Sequence, residues 1–241
     1  MLTIEYKGTG FCGWQKQSGK QTIQGELEEA FFKLTGEKIV VEGSGRTDKG
    51  VHAIAQVATA KIENKMPLKN LKYALNNLLP DAIFVKKIVQ KPDDFHARFS
   101  TKRKTYRYVS LVGGDRSALE WDTCGFYAYD VDFEKLTNAS KLLIGKHNFK
   151  GFCSTNTQVT NFEREIYDIK ISRSGRKIVF EICGNGFLYN MVRIIVGTLL
   201  DVGSGRLDEK NILRALETGD RQLTGKTMPA NGLYLKKVEY I

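Results

Sequence analysis

The feature that most constrains this chain is the segment Gly43-Ser44-Gly45-Arg46-Thr47-Asp48-Lys49-Gly50-Val51-His52-Ala53, where three glycines frame an arginine and an aspartate. Glycine lacks a Cβ, so such a stretch turns tightly and lets its backbone approach a ligand or another chain segment closely. Arg46 and Asp48 stand two residues apart, so an extended backbone places both on one side. The plainer reading makes Asp48 a helix cap. It fits poorly, because Gly50 follows two residues later and a helix-interior glycine costs roughly 1 kcal/mol. The chain supplies its own comparison in Gly203-Ser204-Gly205-Arg206-Leu207-Asp208, where a good helix sequence, Glu209 to Leu216, does follow the aspartate. There the cap reading wins. The first loop needs another explanation.

Around this loop the pattern alternates strands and helices. Residues 2–7 form a strand, followed by a glycine-rich loop with Phe11, Trp14 and Gln15. A helix starts near Thr22 with Ile23, Leu27, Phe31 and Leu34 at helical spacing and ends at Gly36. Ile39-Val40-Val41 reads as a short strand feeding the Asp48 loop, and residues 55–60 continue the sheet. A second helix from Pro67 points Leu68, Leu71, Leu75 and Leu78 inward and stops at Pro80, with strands over 82–90 and 103–112. Beyond these come a helix capped by Asp132, a hairpin of 163–173 and 176–183 around Ser174-Gly175, helices over 187–202 and 208–218, and a strand over 232–239. The expected class is α+β: two similar halves, 1–105 and 106–241, sharing one extended mixed, mostly antiparallel sheet flanked by helices. A chain of 241 residues buries a core large enough for this.

Bulk composition excludes more than it assigns. No window approaches the ~18 apolar residues of a membrane span. Met1 to Tyr6 reads as a strand and not as a signal peptide, and four scattered cysteines suit a reduced, cytoplasmic protein. The net charge of +10 favours a polyanionic partner. Arg98, Lys102, Arg103, Lys104 and Arg107 interleave with Phe95, Phe99, Tyr106 and Tyr108. That mixture suits single-stranded RNA, with cations on the backbone and rings on the bases. A solvated strand edge explains it equally well.

Several chemistries find no support. The cysteines include no C-x-x-C pair, His52, His96 and His147 lack helical partner spacing, and the H-x-E and P-C-x-x-C elements of zinc deaminases are absent. Gly219 to Thr227 approaches a nucleotide-phosphate loop, but with five residues between glycines and a helix before it. Gly43-Ser44-Gly45 starts a dinucleotide fingerprint that puts Asp48 where the third glycine belongs. Lys150-Gly151-Phe152 starts an RNA-recognition motif that fails at Ser154.

The stretch Phe187 to Leu200 is apolar around most of a helical circumference, and Arg193 is its one full charge. Gly186, Asn190, Arg193 and Gly197 fall on one stripe able to line a cleft. A buried guanidinium is costly unless paired. No acid lies three or four residues away, which makes Asp48 the candidate partner; snorkelling to water is the alternative.

These residues bring a known family into view. Gly45-Arg46-Thr47-Asp48-Lys49-Gly50-Val51-His52-Ala53 resembles the signature of the tRNA pseudouridine synthase A (TruA) family. Tyr6-x-Gly8 with Gly13-Trp14-Gln15, Phe95-His96-Ala97-Arg98-Phe99, Lys104-Thr105-Tyr106-Arg107-Tyr108, Asn190-Met191-Val192-Arg193 and Gly232-Leu233-Tyr234-Leu235 match in the family order. The resemblance implies a homodimeric, cofactor-free and metal-free enzyme with the pseudouridine synthase fold, converting uridines 38, 39 and 40 in the anticodon stem-loop of tRNA. It implies Asp48 as the catalytic carboxylate, attacking ribose or ring, Tyr106 stacking on the base and moving a proton at C5, and Arg193 paired with Asp48. It further implies that Arg46 extrudes the nucleotide and Leu233 packs beside it. Lys49 departs from the family pattern, standing where many relatives have alanine; the change leaves the chemical groups intact and is expected to add a phosphate contact, with Arg98 and Arg107 as further expected substrate contacts. A non-catalytic RNA-binding protein is the rival reading: it explains charge and aromatics but leaves Asp48 and Arg193 without a role. A nucleotide hydrolase stands third.

Overall fold

The computed structural model describes residues 1–63, 66–155 and 159–240, and the chain divides into two compact units, 1–102 with 234–241 and 103–233. The C-terminal strand thus returns to the first unit, where the sequence placed it in the second half.

In the first unit, strands β1 (Leu2–Tyr6), β2 (Glu42–Gly43), β3 (His52–Thr59), β4 (Ile83–Ile88) and β10 (Leu233–Tyr240) run in the order β4-β1-β3-β10, with β2 also on β3. Pairing is antiparallel except between β10 and β3, where Tyr234 aligns with His52. Helix α1 (Ile23–Thr35) is bounded as its sequence demands: the Thr22 side chain accepts from the Gly25 N–H, and Gly36 closes the helix at φ 76°. Helix α2 (Leu68–Leu78) buries Leu71 and Leu75, but Leu68 and Leu78, at its two ends, stay exposed. The expected strand at Ile39–Val41 does not form. The Val41 N–H is taken by Glu28 Oε1 at 3.2 Å instead of a neighbouring strand, and pairing begins one residue later, at Glu42.

The second unit contains β5 (Thr101–Val112), which starts at the unit boundary, β6 (Gly125–Tyr127), β7 (Gly145–Asn148), β8 (Glu163–Ser174) and β9 (Lys177–Gly184), in the order β5-β9-β8-β7 with β6 parallel to β5. Its helices are α3 (Phe133–Ser140), capped by Asp132, α4 (Met191–Gly203) and α5 (Lys210–Thr218). At α5 the Asp208 carboxylate accepts from the Lys210 N–H at 2.8 Å, so that aspartate does serve a helix entry. All residues of α4 are buried except Arg193 and Asp201. It begins at Met191 and not at 187, because Asn190 adopts a left-handed φ of 60° that no right-handed helix accommodates. Gly186 therefore lies outside the helix and off the stripe with Arg193. Gly197 is on the helix because a Cβ there would meet the Lys226 carbonyl oxygen, and the Gly225 N–H donates to Thr198 Oγ1 at 2.9 Å. The phosphate-loop look-alike is thus a packing strap across α4.

Among the described residues the fold is mixed α/β with mostly antiparallel strands and five α-helices. Among the described residues no helix is long and apolar enough to cross a membrane.

Candidate active site

The Asp48 loop joins β2 to β3, and no helix follows Asp48, which disposes of the cap reading. The loop is held from several directions. The Ser44 N–H donates to the Val57 carbonyl at 2.7 Å, and the Gln56 side chain accepts from Ser44 Oγ at 2.8 Å while donating to the Gly45 carbonyl at 2.9 Å. The Trp14 N–H donates to the Thr47 carbonyl at 2.9 Å, and the Tyr6 hydroxyl sits 2.8 Å from Thr47 Oγ1. Ser44, Thr47, Val51, His52 and Gln56 are all buried. Buried polar groups satisfied in this way fix a backbone instead of loosening it.

Thr47 faces inward between exposed Arg46 and half-buried Asp48, the alternation of an extended chain. Arg46 and Asp48 therefore leave the core together. Gly50 turns the chain at φ 79°, the Val51 N–H closes back on the Asp48 carbonyl at 3.1 Å, and Lys49 is exposed. Two glycines outside the loop are needed for its approach. A Cβ on Gly8 would lie 2.0 Å from the Val51 carbonyl oxygen, and one on Gly13, at φ 88°, 2.6 Å from that of Thr47. Below the loop the Gly8 N–H donates to His52 Nδ1 at 3.0 Å, and the His52 ring stacks on Tyr234 at 4.7 Å.

In the second unit Arg193 is half-buried in the first turn of α4. Its Nε donates to the Met228 carbonyl at 2.5 Å and Nη1 to Asn190 Oδ1 at 2.7 Å, while Asn190 Nδ2 donates to Ser154 Oγ at 2.9 Å. The guanidinium is thus aimed by protein groups, and snorkelling does not describe it. Tyr106, on β5, is half-buried with its ring edge-on to Phe187 at 5.2 Å. Leu233 is buried.

The interleaved basic and aromatic residues divide by role. Tyr108 is core: its hydroxyl donates to the Pro229 carbonyl at 2.8 Å, and burial pushes its ionisation well above the usual tyrosine range. Arg107 is engaged across the β5–β9 ladder with Glu181 Oε1 at 2.8 and 3.1 Å, and Arg103 lies over the Tyr167 ring. Phe95 packs on Tyr240 at 4.9 Å. Arg98 and Phe99 are exposed. The residues that sequence reasoning passed over are supports, Gln56 and the Met228 carbonyl, and Tyr6 and Thr47, quoted only as motif letters, prove to be supports through their inward hydroxyls.

A rigid carboxylate-bearing loop in a mixed α/β fold agrees with comparison to known proteins. The family model described as tRNA pseudouridine synthase matches residues 2–100 and 139–241. The chain belongs to the tRNA pseudouridine synthase family, and as a member it is an isomerase acting on tRNA uridine. Among its relatives is the tRNA pseudouridine synthase A of Caldicellulosiruptor bescii, 45% identical over 240 residues, covering 100% of this chain and 98% of the relative. The proteins of the same name from Clostridium acetobutylicum and Bacillus licheniformis are 42% and 45% identical, each covering 99% of this chain and 98% and 97% of their own length. An enzyme, and not a passive RNA-binding protein, is what these likenesses show.

Proposed function

We propose that this chain isomerises uridines 38, 39 and 40 in the anticodon stem-loop of tRNA, as a cytoplasmic homodimer, with Asp48 as nucleophile. The observation that carries the reading is the Asp48 loop: three neighbouring segments, β1, the Trp14 loop and β3, brace it, yet its carboxylate-bearing residue is left half out of the core. Preorganisation of this kind is what a displacement at a buried sugar–base bond requires.

The roles follow from the chemistry. The carboxylate oxygen bonds to C1′ of the ribose or to C6 of the ring, the N1–C1′ bond breaks, the freed uracil turns, and C5 bonds to C1′ as the bond to the carboxylate breaks and frees it again. The C5 proton then leaves and N1 gains one, so uridine and product are isomers and no redox partner or cofactor is consumed. Arg193 pairs with Asp48, favouring its anionic form. Tyr106 stacks on the base and takes part in proton transfer at C5. Arg46 fills the gap left by the extruded nucleotide, an extrusion costing a few kcal/mol, and Leu233 packs beside the base. Lys49, Arg98 and Arg107 contact the RNA; Arg107 does so by sharing its guanidinium with Glu181 or releasing it.

The test is site mapping. Unmodified tRNA incubated with the purified protein should gain pseudouridine at positions 38 to 40 and nowhere else. Modification confined to another arm of the tRNA would overturn the assignment.

A further inference from the structure

Phe99 stands apart among the phenylalanines: it is 77% exposed, against 50% for Phe84 and 45% for Phe32. An isolated exposed apolar side chain is ordinary. Phe99, however, sits on a built support. His96 and Ser100 exchange bonds, the Ser100 N–H donating to the His96 carbonyl at 3.0 Å and the His96 N–H to Ser100 Oγ at 3.2 Å. Ala97 is buried, and its carbonyl accepts both Thr101 Oγ1 at 2.7 Å and the Tyr240 hydroxyl at 2.8 Å. The backbone under Phe99 is therefore fixed.

The ring is held as well. His96 Nδ1 accepts from the Arg98 N–H at 3.0 Å and the Phe99 N–H at 3.4 Å, which assigns the imidazole proton to Nε2, 3.4 Å from Glu42 Oε2. So oriented, the imidazole packs against the Phe99 ring with centroids 4.4 Å apart, and the Arg98 guanidinium lies 5.7 Å from that ring's centroid. Glu42 belongs to β2, the strand that leads directly into the Asp48 loop. The aromatic ring is thus linked, through His96, to the strand that leads into the Asp48 loop.

We propose that Phe99 is a stacking platform for one unpaired base of the substrate tRNA, with His96 and Arg98 as its positioning residues. The proposal rests on the tRNA reading above. A ring already ordered loses little freedom on binding, every base offers a face to it, and the adjacent guanidinium serves the phosphate of the same nucleotide. Stacking of this kind is indifferent to base identity, which suits an enzyme that meets varied loop sequences. It acts on ground state and transition state alike, so it belongs in KM and not in kcat.

The experiment measures affinity for an unmodified anticodon stem-loop in the Asp48→Asn background, and turnover with Asp48 intact, for Phe99→Ala, Phe99→Leu and Phe99→Trp. Phe99→Ala should weaken binding about 5- to 150-fold, the range of one aromatic–base stack, with kcat and melting temperature unchanged. Trp should restore binding and Leu should not. Scanning the loop with single abasic sites should reveal one position where base removal costs the wild type but not Phe99→Ala. Equal binding by Phe99→Leu and wild type, or additive losses at every abasic position, would overturn the platform while leaving the enzyme's function standing. A wild-type protein that neither binds nor modifies the stem-loop would instead overturn the functional reading, and the platform with it.

Discussion

The Tyr6 hydroxyl lies 2.8 Å from Thr47 Oγ1 in buried surroundings, so the first strand grips the residue immediately before Asp48. This contact spans 41 residues and links the first strand to the Asp48 loop. Removing it with Tyr6→Phe keeps the ring in the core but leaves the Thr47 hydroxyl short of a partner. Urea denaturation should show a loss of about 1–3 kcal/mol, and kcat should fall because the carboxylate is less well placed. Unchanged stability and turnover would mean the contact is incidental.

The two glycines Gly13 and Gly19 make a paired test. Both have positive φ, 88° and 69°, but a Cβ on Gly13 would strike the Thr47 carbonyl while one on Gly19 meets nothing within 4 Å. Each alanine substitution should cost about 1–3 kcal/mol of backbone strain. Only Gly13→Ala should also depress turnover, since only it displaces the Asp48 loop. Steady-state kinetics on the two variants separate strain from displacement.

Lys49 is exposed beside Asp48 in a chain of net charge +10. If it contacts a phosphate, Lys49→Ala should weaken binding similarly for all tRNA sequences and lower the slope of log affinity against log salt by about 0.7–0.9. Binding titrations over a range of salt concentrations check this. An unchanged slope removes Lys49 from the interface.

Tyr108 gives a stability prediction with a definite sign. Burial holds its hydroxyl protonated in the folded state far above the ordinary value of 10.0. A folded-state pKa raised above the unfolded one means its contribution is intact below about pH 10 and is lost as pH rises further, because only the unfolded chain releases the proton there. Denaturation midpoints should therefore drop more steeply above that pH in the wild type than in Tyr108→Phe. Parallel curves would contradict the assignment.

How much of this was written in the sequence depends on the scale of the cause. Helix α1 was legible because Thr22 and Gly36 act within one turn of its ends. The Asp48 loop was legible because Gly50 disfavours the helix that an N-cap would need. Ile39–Val41 misled, since its apolar run follows the strand pattern but its backbone answers to Glu28, thirteen residues away along the chain from Val41. The start of α4 misled because Asn190 takes a left-handed turn that nothing in the local apolar pattern announces. Leu68 and Leu78 share the helical spacing of Leu71 and Leu75, but sit where α2 runs out of neighbours. Within the site, charged and aromatic residues stood out, whereas their supports are backbone carbonyls and hydroxyls that only tertiary structure brings near.

The most direct test is Asp48→Asn, which keeps the volume and removes the nucleophilic charge. Tritium release from C5-labelled uridine in tRNA, measured beside tRNA affinity and melting temperature, decides the matter. The account predicts that release stops while binding and folding persist. Release continuing at the wild-type rate would show that another group performs the attack.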